Sequence, residues 1–249
     1  MIRDYDILMD ISNEDLKASE FLYEKKLYPQ SLFYLQQSTE KIVKWIGLEN
    51  TIIDKKDLHK SIGHNSNLIF KKALEKYQKK FPSAVNFEIN SEFAKIKEFV
   101  NNNSLETVVE EIVNQIKVIL ENNYQLPYDL NKLKTTEDLY EILKQVEPDK
   151  KDLELLININ ESPELKNMLD KMVVEFSNNI VPYNQGVLIL FSINSLTEKL
   201  VTSVRYPSID DMVNPREIYT ENHSIIKALP VFHSAIHYSL IAIWKLKNN

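Results

Sequence analysis

The sequence predicts an all-α protein. Only three glycines in 249 residues, an abundance of Lys, Glu, Leu and Ile, and apolar positions recurring at intervals of three and four all favour helices over strands. The glycines, Gly47, Gly63 and Gly186, are too scattered for a dinucleotide fingerprint or a phosphate-cradling P-loop. The absence of cysteine removes disulfides, thiolate zinc sites and a cysteine nucleophile. Acids stand in the opening residues where a signal peptide would have a basic flank and an apolar run, so a cytoplasmic protein is expected.

The elements follow in order. Ser12 is an N-cap candidate for a first helix, with Glu14 and Asp15 in the turn where the positive end of the dipole favours acids, and with an end near Lys26. Pro29 suits the first turn of a second helix. Its apolar side is Leu32, Leu35, Ile42, Val43 and Ile46, its polar side Gln37, Glu40 and Lys44, and Gly47 lies near its end. A third helix is expected over 65–77. From Phe81 to about Asn184, Asn-rich stretches and prolines alternate with amphipathic pieces, which predicts several short helices, with starts at Thr135 and at Ser162-Pro163. The apolar run from Gly186 to Ile193 continues through Leu196 and Leu200 at helical spacing and reads as a buried helix. The segment Ser224 to Leu246 carries Lys227, Pro230, His233 and His237, which predicts a kinked core helix rather than a membrane span.

The net charge of −6 conceals an asymmetry. Residues 41–80 hold ten lysines against Glu49, Asp54, Asp57 and Glu75, a local surplus of six positive charges. Such a region suits an anionic ligand, an acidic partner surface, or a solvated face with no partner at all.

Two constellations carry chemistry. His233 and His237, four apart, share one helix face and either hold a metal together or sit as hydrogen-bonded imidazoles; with no further ligand nearby in sequence, no metal site and no cofactor is expected. Asn214-Pro215 reads as an N-cap followed by a first-turn proline, so a helix starting at about 215 would put Arg216 and His223 two turns apart on one side. A guanidinium to hold phosphate and an imidazole to move a proton are what metal-independent RNA cleavage needs. The other reading is that Arg216 decorates a helix start and His223 a turn.

Three fragments then carry a resemblance. Leu27-Tyr28-Pro29-Gln30-Ser31-Leu32-Phe33-Tyr34-Leu35-Gln36-Gln37-Ser38-Thr39-Glu40-Lys41-Ile42-Val43-Lys44, preceded by Ala18-Ser19-Glu20-Phe21-Leu22, resembles the opening helical hairpin of HEPN domains. His59-Lys60-Ser61-Ile62-Gly63-His64-Asn65 resembles the histidine-containing loop before their third helix, and Arg205-Tyr206-Pro207 a turn before the last helix in one branch of that family. The resemblance implies a four-helix up-and-down core from residues 1–80 and 185–249, with 81–184 as a helical insertion. It also implies a homodimer, a nucleotide, RNA, antitoxin or nucleotidyltransferase partner, and a place in prokaryotic defence or toxin–antitoxin systems.

The leading expectation is a non-catalytic binding module that uses Gln37, Glu40, Lys44, His64, Arg205 and Tyr206. The alternatives are a metal-independent endoribonuclease with Arg216 and His223 at a dimer interface, and a structural protein acting through the insertion. Ribonuclease members carry Arg, a polar residue and then His; here Glu217 stands where a neutral polar residue is usual, and an acid there repels phosphate.

Overall fold

A computed structural model describes residues 3–80, 98–121, 163–198 and 214–248, with isolated positions at 134–135, 137–138, 141, 200 and 204. Among the described residues all regular structure is helical: α1 (Ile7–Glu24), α2 (Tyr28–Glu49), α3 (Lys55–Asp57), α4 (Asn67–Lys80), α5 (Leu105–Leu120), α6 (Pro163–Glu175), α7 (Val181–Glu198), α8 (Pro215–Ile218) and α9 (Ser224–Asn248), with π turns at Leu58–Ile62 and Phe176–Ile180. The chain divides into two compact units, Met1–Lys117 with Leu188–His237, and Val118–Val187 with Tyr238–Asn249. Residues 98–117 group with the first unit and 238–248 with the second.

In the first unit α1 and α2 form an antiparallel hairpin closed by serines. Ser19 and Ser31 each donate a hydroxyl proton to the other's backbone carbonyl, both at 2.8 Å, and two turns away Ser12 donates to the Ser38 carbonyl at 3.0 Å. Small side chains let the helix backbones approach, and each buried hydroxyl is satisfied across the seam. Ser12 is therefore no N-cap. The helix starts earlier, at Ile7 after Asp6, whose carboxylate instead accepts from the Arg3 amide and the Trp45 indole. Beside the seam Leu16, Leu32, Leu35, Ile42 and Val43 are buried, each contributing about 1.5–3 kcal/mol. Arg3 at 2.5 Å and the Tyr5 hydroxyl at 3.2 Å converge on Glu49, fixing the chain start to the end of α2.

The other helices pack through specific contacts. On α4, Phe70 meets Phe191 of α7 edge to face with ring centroids 4.8 Å apart. A Cβ at Gly47 would stand 2.8 Å from the Ile69 side chain, so glycine permits the close approach of α2 and α4. On α9, His233 lies 2.8 Å from the Ser19 hydroxyl and His237 pairs with Glu20 at 2.7 Å, so both imidazoles bind α1. The hydrogen-bonded reading of the histidine pair is the one observed. Because the Ser19 proton goes to the Ser31 carbonyl, His233 is the donor, through Nε2–H. In α9, Ser224–Lys247 is long and apolar enough to cross a bilayer by length and composition, with 56% of its most apolar window buried inside the protein.

The second unit contains α6 and the ends of α7 and α9. Tyr238 donates to Gln185 at 2.6 Å and Ser239 to the Gly186 carbonyl at 3.2 Å, where a Cβ on Gly186 would lie 3.1 Å from the Ser239 backbone. The expected buried helix over 186–193 is thus α7, and α6 begins at Pro163 as its sequence start predicts.

Two predictions follow from these contacts. Lys26 closes α1 in the left-handed region at φ 59°, its side chain 75% exposed, while Leu27 N–H bonds the Leu22 carbonyl. Glycine carries no steric penalty there, so Lys26→Gly raises unfolding free energy by about 0.5–1 kcal/mol in urea titration. For His233, burial first, and then the neighbouring His237 charge against the opposing pull of Glu20, lowers its pKa to about 4. The unfolded chain, with an ordinary imidazole near 6.5, binds the proton more readily, so stability is full above that value and falls as pH drops from 6.5 towards 4. The full loss is on the order of 3 kcal/mol. The melting temperature falls in that window for the wild type, and His233→Gln, which keeps the donor to Ser19 without titrating, flattens the profile.

A polar cluster on the second helix

The candidate site grows out of α2. Residues three and four apart on a helix are neighbours, so Gln36, Glu40 and Lys44 stand in one row, with Gln37 and Lys41 beside them. Glu40 is 3% exposed, which separates it from a solvated helix face. One carboxylate oxygen accepts from the Gln36 amide at 3.0 Å and the other from the Lys44 ammonium at 2.6 Å. Gln37 donates to the Gln36 oxygen at 2.7 Å, and Lys41 reaches Asp15 of α1 at 2.5 Å. The two cations are each matched by an acid, which is how a carboxylate survives burial.

His64 completes the group from another element. Its Nδ1 lies 3.4 Å from the Glu40 carboxylate, while 84% of its side chain stays exposed. The loop that brings it there is built in stages. Asp54 and Asp57 form a reciprocal cap on α3, and Asp57 also accepts from Ser61 at 2.9 Å and Lys72 at 2.8 Å. Lys72 first, then the backbone at Asp54 and the Ser61 hydroxyl, hold the Asp57 carboxyl at about 2. After the π turn Gly63 adopts φ 52° and ψ −119°, a conformation open to glycine alone, and α4 starts at Asn67.

The structure therefore gathers Gln37, Glu40, Lys44 and His64. Arg205 and Tyr206 lie outside the described residues. Arg216 and His223 do not share a helix face: α8 begins after the Asn214 cap as the sequence predicts, with the Asn214 side chain accepting from the Arg216 amide at 3.0 Å, but it stops at Ile218. His223 sits beyond it at the entry to α9. There its Nδ1 accepts from the Ile225 amide at 3.3 Å, its ring packs tilted on Tyr219 at 5.0 Å, and burial lowers its pKa. Arg216 is exposed. Among the described residues no group of three acidic or histidine side chains is arranged to hold a metal ion.

A family model, described as HEPN domain, matches residues 5–148, more than half of the chain and all of the α1–α2 hairpin, the His64 loop and α4. The chain belongs to the HEPN family. In this HEPN protein the match runs on through residues 81–148 and ends before Arg205-Tyr206-Pro207. No curated protein and no solved structure matches the HEPN chain.

The sequence marks Asp15 only as a first-turn acid of α1 and does not single out Gln36, although Gln36 stands four residues before Glu40, the spacing that identifies a partner on a helix. Removing one member of a buried ion pair strands the other. Lys44→Met lowers unfolding free energy by about 2–3 kcal/mol, and adding Glu40→Leu restores most of it; additive losses in denaturant titrations would show that the two side chains do not act as a pair.

Proposed function

We propose that this HEPN protein is a binding module for a phosphate-bearing ligand, a nucleotide or RNA, and that the ligand sits against Lys44 and His64. What carries the reading is the state of Glu40. Its oxygens are occupied from within by Gln36 and Lys44, so the cluster presents the remaining ammonium protons of Lys44 as donors, with the exposed imidazole of His64 beside them. Donors of this kind select acceptors, and phosphate oxygens are the strongest acceptors among common ligands. Membership of the HEPN family supports a nucleotide- or RNA-related role.

The ribonuclease reading has less behind it. His223 spends Nδ1 on the start of α9, and Arg216 belongs to a separate short helix. A proton-transfer residue must reach its substrate in a fixed relation to the group that holds the phosphate.

Calorimetric titration with ATP and with mixed-sequence single-stranded RNA tests the proposal. Binding weakens about tenfold or more in His64→Ala with the melting curve unchanged, as for loss of a charge-assisted hydrogen bond. The Lys44 ammonium on a single strand gives a salt slope of about −0.7. RNA incubated with the protein in EDTA stays intact. Binding that is unchanged in His64→Ala overturns the site, and cleavage that disappears in both Arg216→Ala and His223→Ala replaces binding with catalysis.

A further inference from the structure

His64 owes its place to groups that lie away from Glu40. Two residues after it, Ser66 is completely buried and donates its hydroxyl proton to the Asn194 side-chain oxygen on α7 at 3.0 Å. The Asn194 amide, itself fully buried, donates to the Asn67 side-chain oxygen at 2.8 Å. Asn67 in turn donates to the Glu198 carboxylate one turn further along α7. A single asparagine thus accepts from one residue and donates to the next at the very start of α4.

On the other side of His64 the chain has a pivot. Gly63 lies at φ 52° with nothing within 4 Å of where a Cβ would be, so no neighbour holds it sideways. Between that pivot and the buried Ser66 stand only His64 and Asn65. Consecutive Cα atoms are about 3.8 Å apart, so a fixed Ser66 confines the His64 Cα to within about 7.6 Å of it. The Asn65 amide bonds the Ile62 carbonyl at 2.8 Å and closes the turn across Gly63, so with the anchor removed that turn, His64 included, is released from α7 as a unit.

We propose that Asn194 is the positioning residue of the α2 cluster: through Ser66 and Asn67 it sets where the His64 imidazole stands against Glu40. The proposal rests on the phosphate-binding reading for its consequence, but not for its geometry. Asn194 touches neither Glu40 nor the ligand position; it acts through the loop. Its polarity inside the apolar run from Gly186 to Leu196 has this purpose, since a buried amide with both ends paired specifies one arrangement of the elements it joins.

The test compares wild type, Asn194→Ala and Thr197→Val by NMR of the His64 ring, identified by its disappearance in His64→Gln. Thr197 is buried on the same helix, and its hydroxyl donates to the Ile193 carbonyl of α7, so its loss perturbs α7 without touching the anchor. Without ligand, the His64 ring signals move to those of a free imidazole in Asn194→Ala and stay in place in Thr197→Val. On titration with inorganic phosphate, the midpoint followed at the Glu40 and Lys44 amides rises about fivefold in Asn194→Ala, the cost of one lost orienting contact. A folded Asn194→Ala protein with wild-type His64 signals overturns the proposal. If that variant fails to fold, Ser66→Ala removes a single hydroxyl, and the same ring signals decide in the same way. If wild type takes no phosphate, the binding reading fails, while the ligand-free spectra still decide the role of Asn194.

Discussion

The distance between α1 and α2 is the constraint from which the first unit follows. Serine at positions 12, 19, 31 and 38 removes the bulk that would hold the helices apart, and the exchange of hydroxyl protons for carbonyls satisfies every hydroxyl buried by the approach. Only a seam this tight brings Asp15 within reach of Lys41 and lets His233 of α9 reach the Ser19 hydroxyl. One pair of serines therefore fixes the partners of three helices. Larger residues would bury more apolar area locally but would separate the row on α2 from the acid on α1.

The lysine-rich stretch shows how charge in a sequence differs from charge on a surface. Lys41 and Lys44 pair with Asp15 and Glu40, Lys72 with Asp57 and Lys55 with Asp4. Lys76 donates to the Asn50 and Thr51 carbonyls and to the Thr51 hydroxyl, at the end of α2 where Thr51 takes a left-handed turn at φ 52°. Much of the local positive surplus is thus consumed in holding the fold, and Lys44 with His64 stands out by its setting rather than by its charge.

The helices were legible because periodicity and punctuation agree: Pro29 does open α2 within its first turns, Asn214 does cap α8, and the apolar run after Gly186 is helical. Ser12 was misleading because a serine that caps a helix and one that bridges two helices look alike until the partner helix of the hairpin is known. The continuous helix expected from 215 failed for a related reason. Its start signal is real, but His223 carries a second start signal, its ring nitrogen accepting from the Ile225 amide, which divides the segment in two. In the site, Glu40 and Lys44 were readable as a pair four apart, whereas Asn194 was not, since its partners lie more than a hundred residues away in sequence.

The close passage of α2 over α4 has a bearing on how this chain can change over evolutionary time. A methyl group at position 47 would meet Ile69 at 2.8 Å and Ile53 at 3.0 Å, so the hydrogen of Gly47 and the branched side chains opposite it occupy a shared volume. A lineage that acquires alanine at 47 must shrink or reshape 69 or 53 in compensation, in either order but through a strained intermediate. The three positions form one inherited unit, in which bulk added at 47 is tied to bulk removed at 69 or 53.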